Sequence, residues 1–276
     1  MEDIIYEIRD LKYLNWARVR KSSGTAGSFL KAYDDSMSIK KYYKLSDYNE
    51  REGVEGHECV NEIIAQRILS HLGFDHLKYR LINAKILVDG RELTTFVCES
   101  EDFKRSGESK ISFEDYYELW RNEREYALDF CRRMGFEKSA YQALTIDFLI
   151  LNRDRHGANF EVLRSRDNKS VTPAPLFDHG LSFLCRCHTA EEAAAFDVME
   201  DRKVQSFLGG SSAKDNLSLV PVEFLRDLPP VTDGDIAMFT EGLEGILDNT
   251  FLLKIQEMIR RRWDYVESIR NSRLFS

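Results

Sequence analysis

Residues 151–180 read LNRDRHGANFEVLRSRDNKSVTPAPLFDHG, and the reading of this stretch decides the fold. Asp154 is followed five residues later by Asn159, and Asp178 opens Asp-His-Gly after the apolar pair Leu176-Phe177. Residues 160–163 and 170–177 flank the turn-forming Arg166-Asp-Asn-Lys169, so the pattern predicts a hairpin. Closing that hairpin returns Asp178 to the side of Asp154 and Asn159. Three oxygen-bearing side chains then converge, a donor set that suits a hard cation such as magnesium held partly by the phosphates of a nucleotide.

The whole chain has to accommodate such a site. Its 276 residues can bury a sizeable core in one large domain or two lobes. Hydrophobic residues at 43% and charged residues at 31% describe a globular protein. A net charge of −8 leaves no basic excess to neutralise a nucleic-acid backbone, so no nucleic-acid partner is expected. No apolar run is long enough to span a membrane, and the acidic N-terminus lacks the pattern of a signal peptide. Five cysteines without framework spacing fit reduced thiols and a cytoplasmic location.

Upstream, residues 21–31 form a small-residue loop in which Gly24, Thr25 and Gly27 could bring backbone N–H groups against phosphates. Residues 37–45 are β-rich and carry Lys40, Lys41 and Lys44. Lys44 ends a bulky run, Lys41 points to the opposite face, and Lys40 sits nearer the strand start. Residues 57–73 show helical spacing in Val60, Ile64, Ile68 and Leu72, with Gly73 as a C-terminal cap. Glu58 and Glu62 lie one turn apart on that helix, Glu62 nearer the apolar stripe. Residues 79–88 and 92–98 flank Asp89-Gly90, a strong hairpin signal.

From residue 112 the pattern turns helical. Residues 138–151 predict a buried helix leading into the catalytic stretch, residues 190–207 another, and residues 250–271 the last. In that last helix Arg260-Arg-Arg262 is expected to be solvated. Cys185-Arg-Cys187-His188 has half the ligands of a metal site and is read as a pair of free thiols.

The segments Asp154-Arg-His-Gly-Ala-Asn159 and Ala174-Pro-Leu-Phe-Asp178 resemble the HipA-type serine/threonine kinases, including the compact CtkA-like members. The Asp-Arg-His…Asn form is also similar to phosphatidylinositol kinases. The resemblance implies an α+β, two-lobed protein-kinase-like fold, with a small β-rich N-lobe carrying one helix and a larger, mainly helical C-lobe. It implies lobes at residues 1–100 and 101–276, and ATP and magnesium as cofactors. Asp154 then matches the catalytic aspartate, with Arg155 or His156 stabilising charge, and Asn159 and Asp178 match the metal ligands. Lys44 matches the nucleotide lysine and Glu62 its helix partner. Residues 98–101, with Glu99, match the hinge that meets the adenine.

The implied activity is transfer of the γ-phosphate of ATP to a Ser or Thr hydroxyl of a protein, with autophosphorylation near Ser22, Ser23, Thr25 and Ser28. Alternatives are a lipid or small-molecule kinase, and a nucleotide-binding pseudokinase or regulatory partner of a toxin–antitoxin system. By family analogy an antitoxin-type partner is implied, and the chain length fits the compact form. Two departures stand out: His179 occupies the place where protein kinases carry Phe, and no Ala-Pro-Glu follows.

Overall fold

In the computed structural model, residues 3–17 and 29–272 are described. Gly24, Thr25 and Gly27, with the nearby serines, lie outside the described residues. The N-terminal half is a five-stranded sheet in the order Ile4–Asp10, Tyr79–Val88, Arg91–Glu101, Lys41–Lys44, Lys31–Asp34. The first pair is parallel, and the other three are antiparallel. An isolated antiparallel bridge joins Ala17 and Lys31. The Asp89-Gly90 turn forms as expected, both residues holding positive φ, which suits the twist of the two long strands it joins.

Alternation along the Tyr79–Val88 strand divides the apolar residues between two faces. Leu81 packs toward the helix Glu58–His71, with Ile63, Ile64, Ile68 and Leu69 fully buried against it. Ile82, Ala84, Ile86 and Val88 face a second cluster with Leu11, Leu30 and Tyr43. The helix is further tied by Arg67, which meets Asp3 at 2.7 Å and donates to the carbonyls of Phe239 and Glu241.

The remaining chain is mainly helical. Helix Glu137–Leu149 is buried on nearly every face, and helix Asn249–Ser272 lays Ile255, Met258, Ile259 and Val266 into the same core. A small sheet pairs Glu161–Ser165 with Val171–Pro173 and with Glu108–Ser112, giving the expected hairpin. No described helix is long and apolar enough to cross a membrane. The fold is α+β and two-lobed.

Two sequence expectations are corrected. The helix expected over residues 190–207 ends at Ala195, because the carbonyls of Val198 and Glu200 are taken by the Arg262 side chain. That same arginine, expected on a solvated side, is buried and donates also to Phe148 O. The three carbonyls replace the water that a guanidinium otherwise needs.

Candidate active site

The loop after helix Glu137–Leu149 is set by a chain of local hydrogen bonds. Asn152 donates to Asp147 at 2.8 Å, and its Oδ1 accepts from the Asp154 N–H at 3.2 Å. Leu151 holds φ +50, a conformation that costs a non-glycine residue and persists where the surroundings over-determine it. Gly157 begins a single 3-10 turn, Gly157–Asn159, where an added Cβ would meet the Glu114 Cβ at 2.5 Å. Only a glycine fits beneath that neighbour.

Asn159 donates its Nδ2 to the Asp154 carbonyl at 2.9 Å, which leaves its amide oxygen as the donor toward a cation. His156 Nδ1 accepts from the Ala158 N–H, placing the ring proton on Nε2, 3.8 Å from the Asp154 carboxylate. Burial pushes the Asp154 pKa up, partly opposed by the nearby His156 and reinforced by the charge of Asp178.

Arg155 does not face this space. Its side chain is 1% exposed and pairs with Asp147 at 2.9 Å. The same guanidinium donates to the carbonyls of Asn159 and Phe177, both at 2.8 Å. The charge-stabilising role expected for it is therefore corrected: it joins the Asp154–Asn159 loop to the Asp178 loop from behind. The motif named the residue, and the fold supplied Asp147 as its partner.

Asp178 also holds positive φ, +59, and its N–H donates to Tyr79 Oη at 3.2 Å. Its carboxylate meets Lys44 Nζ at 2.5 Å and Lys31 Nζ at 3.9 Å. Lys44 Nζ also meets Glu62 at 2.8 Å, so the lysine stands between two carboxylates. Burial alone would lower the Lys44 pKa, but Asp178 and Glu62 outweigh it and hold the ammonium charged well above the usual lysine value. Burial opposes ionisation of Asp178, yet Lys44 and then Lys31 hold its carboxyl well below the ordinary range.

Of the three strand lysines, Lys40 stacks over the Tyr33 ring and Lys41 pairs with Glu99, leaving Lys44 at the acidic residues. Of the two helix glutamates, Glu62 meets the lysine while Glu58 accepts from the Asp47 N–H. His179 is buried, and its backbone N–H donates to Glu62 at 2.9 Å. At Gly180 an added Cβ would lie 3.1 Å from the Glu58 Cβ, so the loop passes close against the helix.

Lys31, Lys44, Tyr79, Phe177 and Asp178 line a cleft of about 690 Å³, a size suited to a nucleotide. Asp154 lies near enough to Asp178 and Lys31 for their charges to act on it. Glu99 does not line the cleft. It sits inside the Arg91–Glu101 strand, buried, bonded to Tyr43 Oη and paired with Arg80 and Lys41. The strand runs three residues further than expected, and Cys98, Ser100 and Glu101 of the expected hinge do line the cleft, together with Asp102, Phe103 and Lys104; Glu99 alone of residues 98–101 does not.

For a metal, the oxygen donors of Asp178 and Asn159 fit a hard cation. No group of three or more His, Cys, Asp or Glu side chains is assembled among the described residues, so ligand oxygens would have to complete the shell. All five cysteines are free, as expected for the Cys185–Cys187 pair.

No family model and no curated protein matches the sequence. Solved structures do match. The Helicobacter pylori proinflammatory kinase CtkA superposes with a TM-score of 0.69 at 14% identity, over 97% of this chain and 98% of that one. HipA of Shewanella oneidensis, solved with HipB and operator DNA of a toxin–antitoxin system, gives a TM-score of 0.52 at 14% identity. That match covers 90% of this chain and 67% of the other.

The chain has the HipA/CtkA kinase fold. Sequence reasoning missed four residues that build the site within this fold. Asp147 was hidden in an apolar helix end, and Asn61 in the polar spacing between Glu58 and Glu62. Lys31 closes the small-residue loop, and Tyr79 opens a strand that otherwise reads as apolar.

Proposed function

We propose that the chain is an ATP- and magnesium-dependent phosphotransferase that transfers the γ-phosphoryl group to a Ser or Thr hydroxyl of a protein. The observation that carries this reading is Lys44 Nζ between Glu62 and Asp178, at 2.8 and 2.5 Å, on the wall of the cleft. An ammonium fixed by a helix carboxylate and presented to a cleft suits nucleotide phosphates.

On this reading residues 1–100 cover the nucleotide and residues 101–276 hold the acceptor. Lys44, oriented by Glu62, meets the phosphates, and Gly24, Thr25 and Gly27 cover them. Asn159 and Asp178 hold magnesium, which when bound neutralises charge on the phosphate oxygens. Asp154 takes the proton of the acceptor hydroxyl, and its raised pKa makes it a stronger base than an exposed aspartate. His156 Nε2–H lies beside the Asp154 carboxylate and keeps it oriented. Arg155 and Asp147 act as positioning residues.

The test is incubation of the chain with radiolabelled ATP, magnesium and a Ser/Thr-rich acceptor protein, with Asp154→Asn as control. Transfer by the wild type and a loss of about a hundredfold or more in the variant is the expected result. Transfer that is indifferent to Asp154, or none at all, would overturn the assignment.

A further inference from the structure

A second cavity, of about 340 Å³, lies on the far side of the helix that carries Glu62. Cys59 and Val60 line it, whereas Asn61 and Glu62 reach the Asp178 loop. The helix Glu58–His71 therefore separates this cavity from the cleft at Lys44. The other walls come from both halves of the fold, with Phe96 from the sheet and His188, Leu247 and Phe251 from the helical remainder. The activity proposed above makes no use of any of these side chains.

His57 is a polar group on this wall that the protein leaves unsatisfied. It precedes the first helical turn without capping it, and Ser46 Oγ takes the Cys59 N–H instead, at 3.0 Å. The imidazole packs edge-on against the Phe251 ring, centroids 5.2 Å apart, and is 7% exposed. Its Nε2 is buried without a hydrogen-bond partner. Burial first, then the charge of His188, keeps the His57 pKa down at about 4. The ring is neutral near pH 7 and retains a lone pair that can accept a hydrogen bond.

The charges around this ring are mostly negative. Glu55 and Asp248 both line the cavity, and neither forms an ion pair among the described residues. One oxygen of Asp248 accepts from the Thr250 N–H at 2.7 Å, and the other has no partner among the described residues. The Glu55 pKa is raised, first by a hydrogen bond shared with the Glu52 carboxyl, and the charge of His188 opposes this only in part. Carboxyl groups that raise one another's pKa lack a cation between them. Behind them the Glu58 carboxylate accepts from the Asp47 N–H, and that of Glu192 accepts from the His188 N–H. His188 is the one other basic side chain that lines the cavity among the described residues.

Such a wall repels an anion, and a neutral molecule leaves its carboxylates uncompensated. An ammonium group supplies both an N–H donor for the imidazole lone pair and a charge for the carboxylates. Phe96 and Phe251 offer apolar contact to the body of the molecule, and aromatic faces attract a cation. We infer that this cavity is a second ligand site, taking a small organic amine whose ammonium group lies among His57, Glu55 and Asp248. Filled, it braces the helix that carries Glu62 against the segment containing Leu247 and Asp248. The site goes beyond the proposed transfer activity, and its test runs without ATP.

The probe is benzylamine, titrated into the full isotope-labelled chain at pH 7.5 and constant ionic strength, with amide resonance shifts as the readout. Benzyl alcohol and benzoate, similar in shape, are the neutral and anionic controls. The expected result is saturable shifts at residues 54–60 and 246–251 with benzylamine. Either control needs about tenfold higher concentration or beyond, the equivalent of one lost charged hydrogen bond. His57→Phe keeps the ring packing and removes the acceptor, so the benzylamine midpoint also rises about tenfold. Glu55→Gln and Asp248→Asn each raise it about threefold, the scale of an exposed charge pair. Both of these variants fold even where His57→Phe does not, because Glu55 is exposed and an asparagine still accepts from the Thr250 N–H. No saturation, equal binding of benzyl alcohol or benzoate, or a midpoint that none of the three variants moves would overturn the site.

Discussion

Asn61 donates through Nδ2 to the carbonyl oxygen of Gly180 at 2.9 Å, and through the same amide to Ser182 O at 3.0 Å. The residue is fully buried, so the helix bearing Glu62 and the loop bearing Asp178 are joined where water cannot substitute. Asn61→Leu keeps the shape and strips the donors from two carbonyls, at about 1–3 kcal/mol each. The expected outcome is a lower urea midpoint with an unchanged slope, and weaker ATP binding. An unaltered midpoint would show that the bond is incidental.

Arg155→Lys tests the joint behind the acidic residues. The lysine keeps the charge but cannot reach Asp147 and two carbonyls with one ammonium. Phosphotransfer falls at least tenfold, in kcat more than in KM, because Asp154 and Asp178 lose their mutual placement. Stability falls by about 2 kcal/mol, read from denaturant unfolding. A variant with normal kcat would return Arg155 to a purely structural role.

Lys44→Met leaves buried Glu62 and the partly exposed Asp178 as neighbouring carboxylates without their cation. The single change is expected to cost about 3–5 kcal/mol. In Glu62→Gln that penalty is smaller, because one negative charge is gone. The double variant should therefore be more stable than the sum of the two changes predicts, by about 1 kcal/mol or more. Strict additivity in unfolding measurements would mean that the two side chains do not interact in solution.

Stability should fall between pH 7 and pH 5. Burial, with the charge of His188 adding to it, holds the His57 pKa down to about 4, and burial holds His76 at about 4 as well, against 6.5 for an ordinary histidine. The unfolded chain therefore binds protons that the folded chain refuses, and stability that is complete above pH 6.5 is lost as pH falls toward 4. At pH 5 the loss is about 2 kcal/mol for each histidine. Asp178, with its lowered pKa, continues the loss below the ordinary aspartate range. Urea titrations at pH 7.5 and 5.0 on wild type and His57→Phe provide the check, the variant losing the His57 share of the histidine-linked slope while His76 and the buried His179 keep theirs.

The readable parts of this chain were those whose signal is local. The spacing of Asp154 and Asn159, the turn at Asp89-Gly90 and the apolar period of residues 57–73 each follow from neighbours in sequence. Lys44 and Glu62 were legible because strand and helix present them in a known order. What escaped was whatever depended on distant partners. Arg262 was read as solvated because three carbonyls from remote segments cannot be seen in a helix pattern. Glu99 was assigned to a hinge because nothing in residues 98–104 marks where pairing with the Lys41–Lys44 strand stops. Arg155 was given a charge-stabilising role because its motif names the residue without saying which way it points.

The acceptors chosen by Arg155 have a bearing on how the protein can change over generations. Asn159 and Phe177 are reached through their main-chain oxygens, which every amino acid supplies. A joint of this kind survives replacement of the residues it grips and fails only with the arginine or with the path of the backbone. Mutational drift can then rewrite much of the lettering around the cleft while the two acidic loops stay registered. An architecture shared with CtkA at 14% identity is what such tolerance would leave behind.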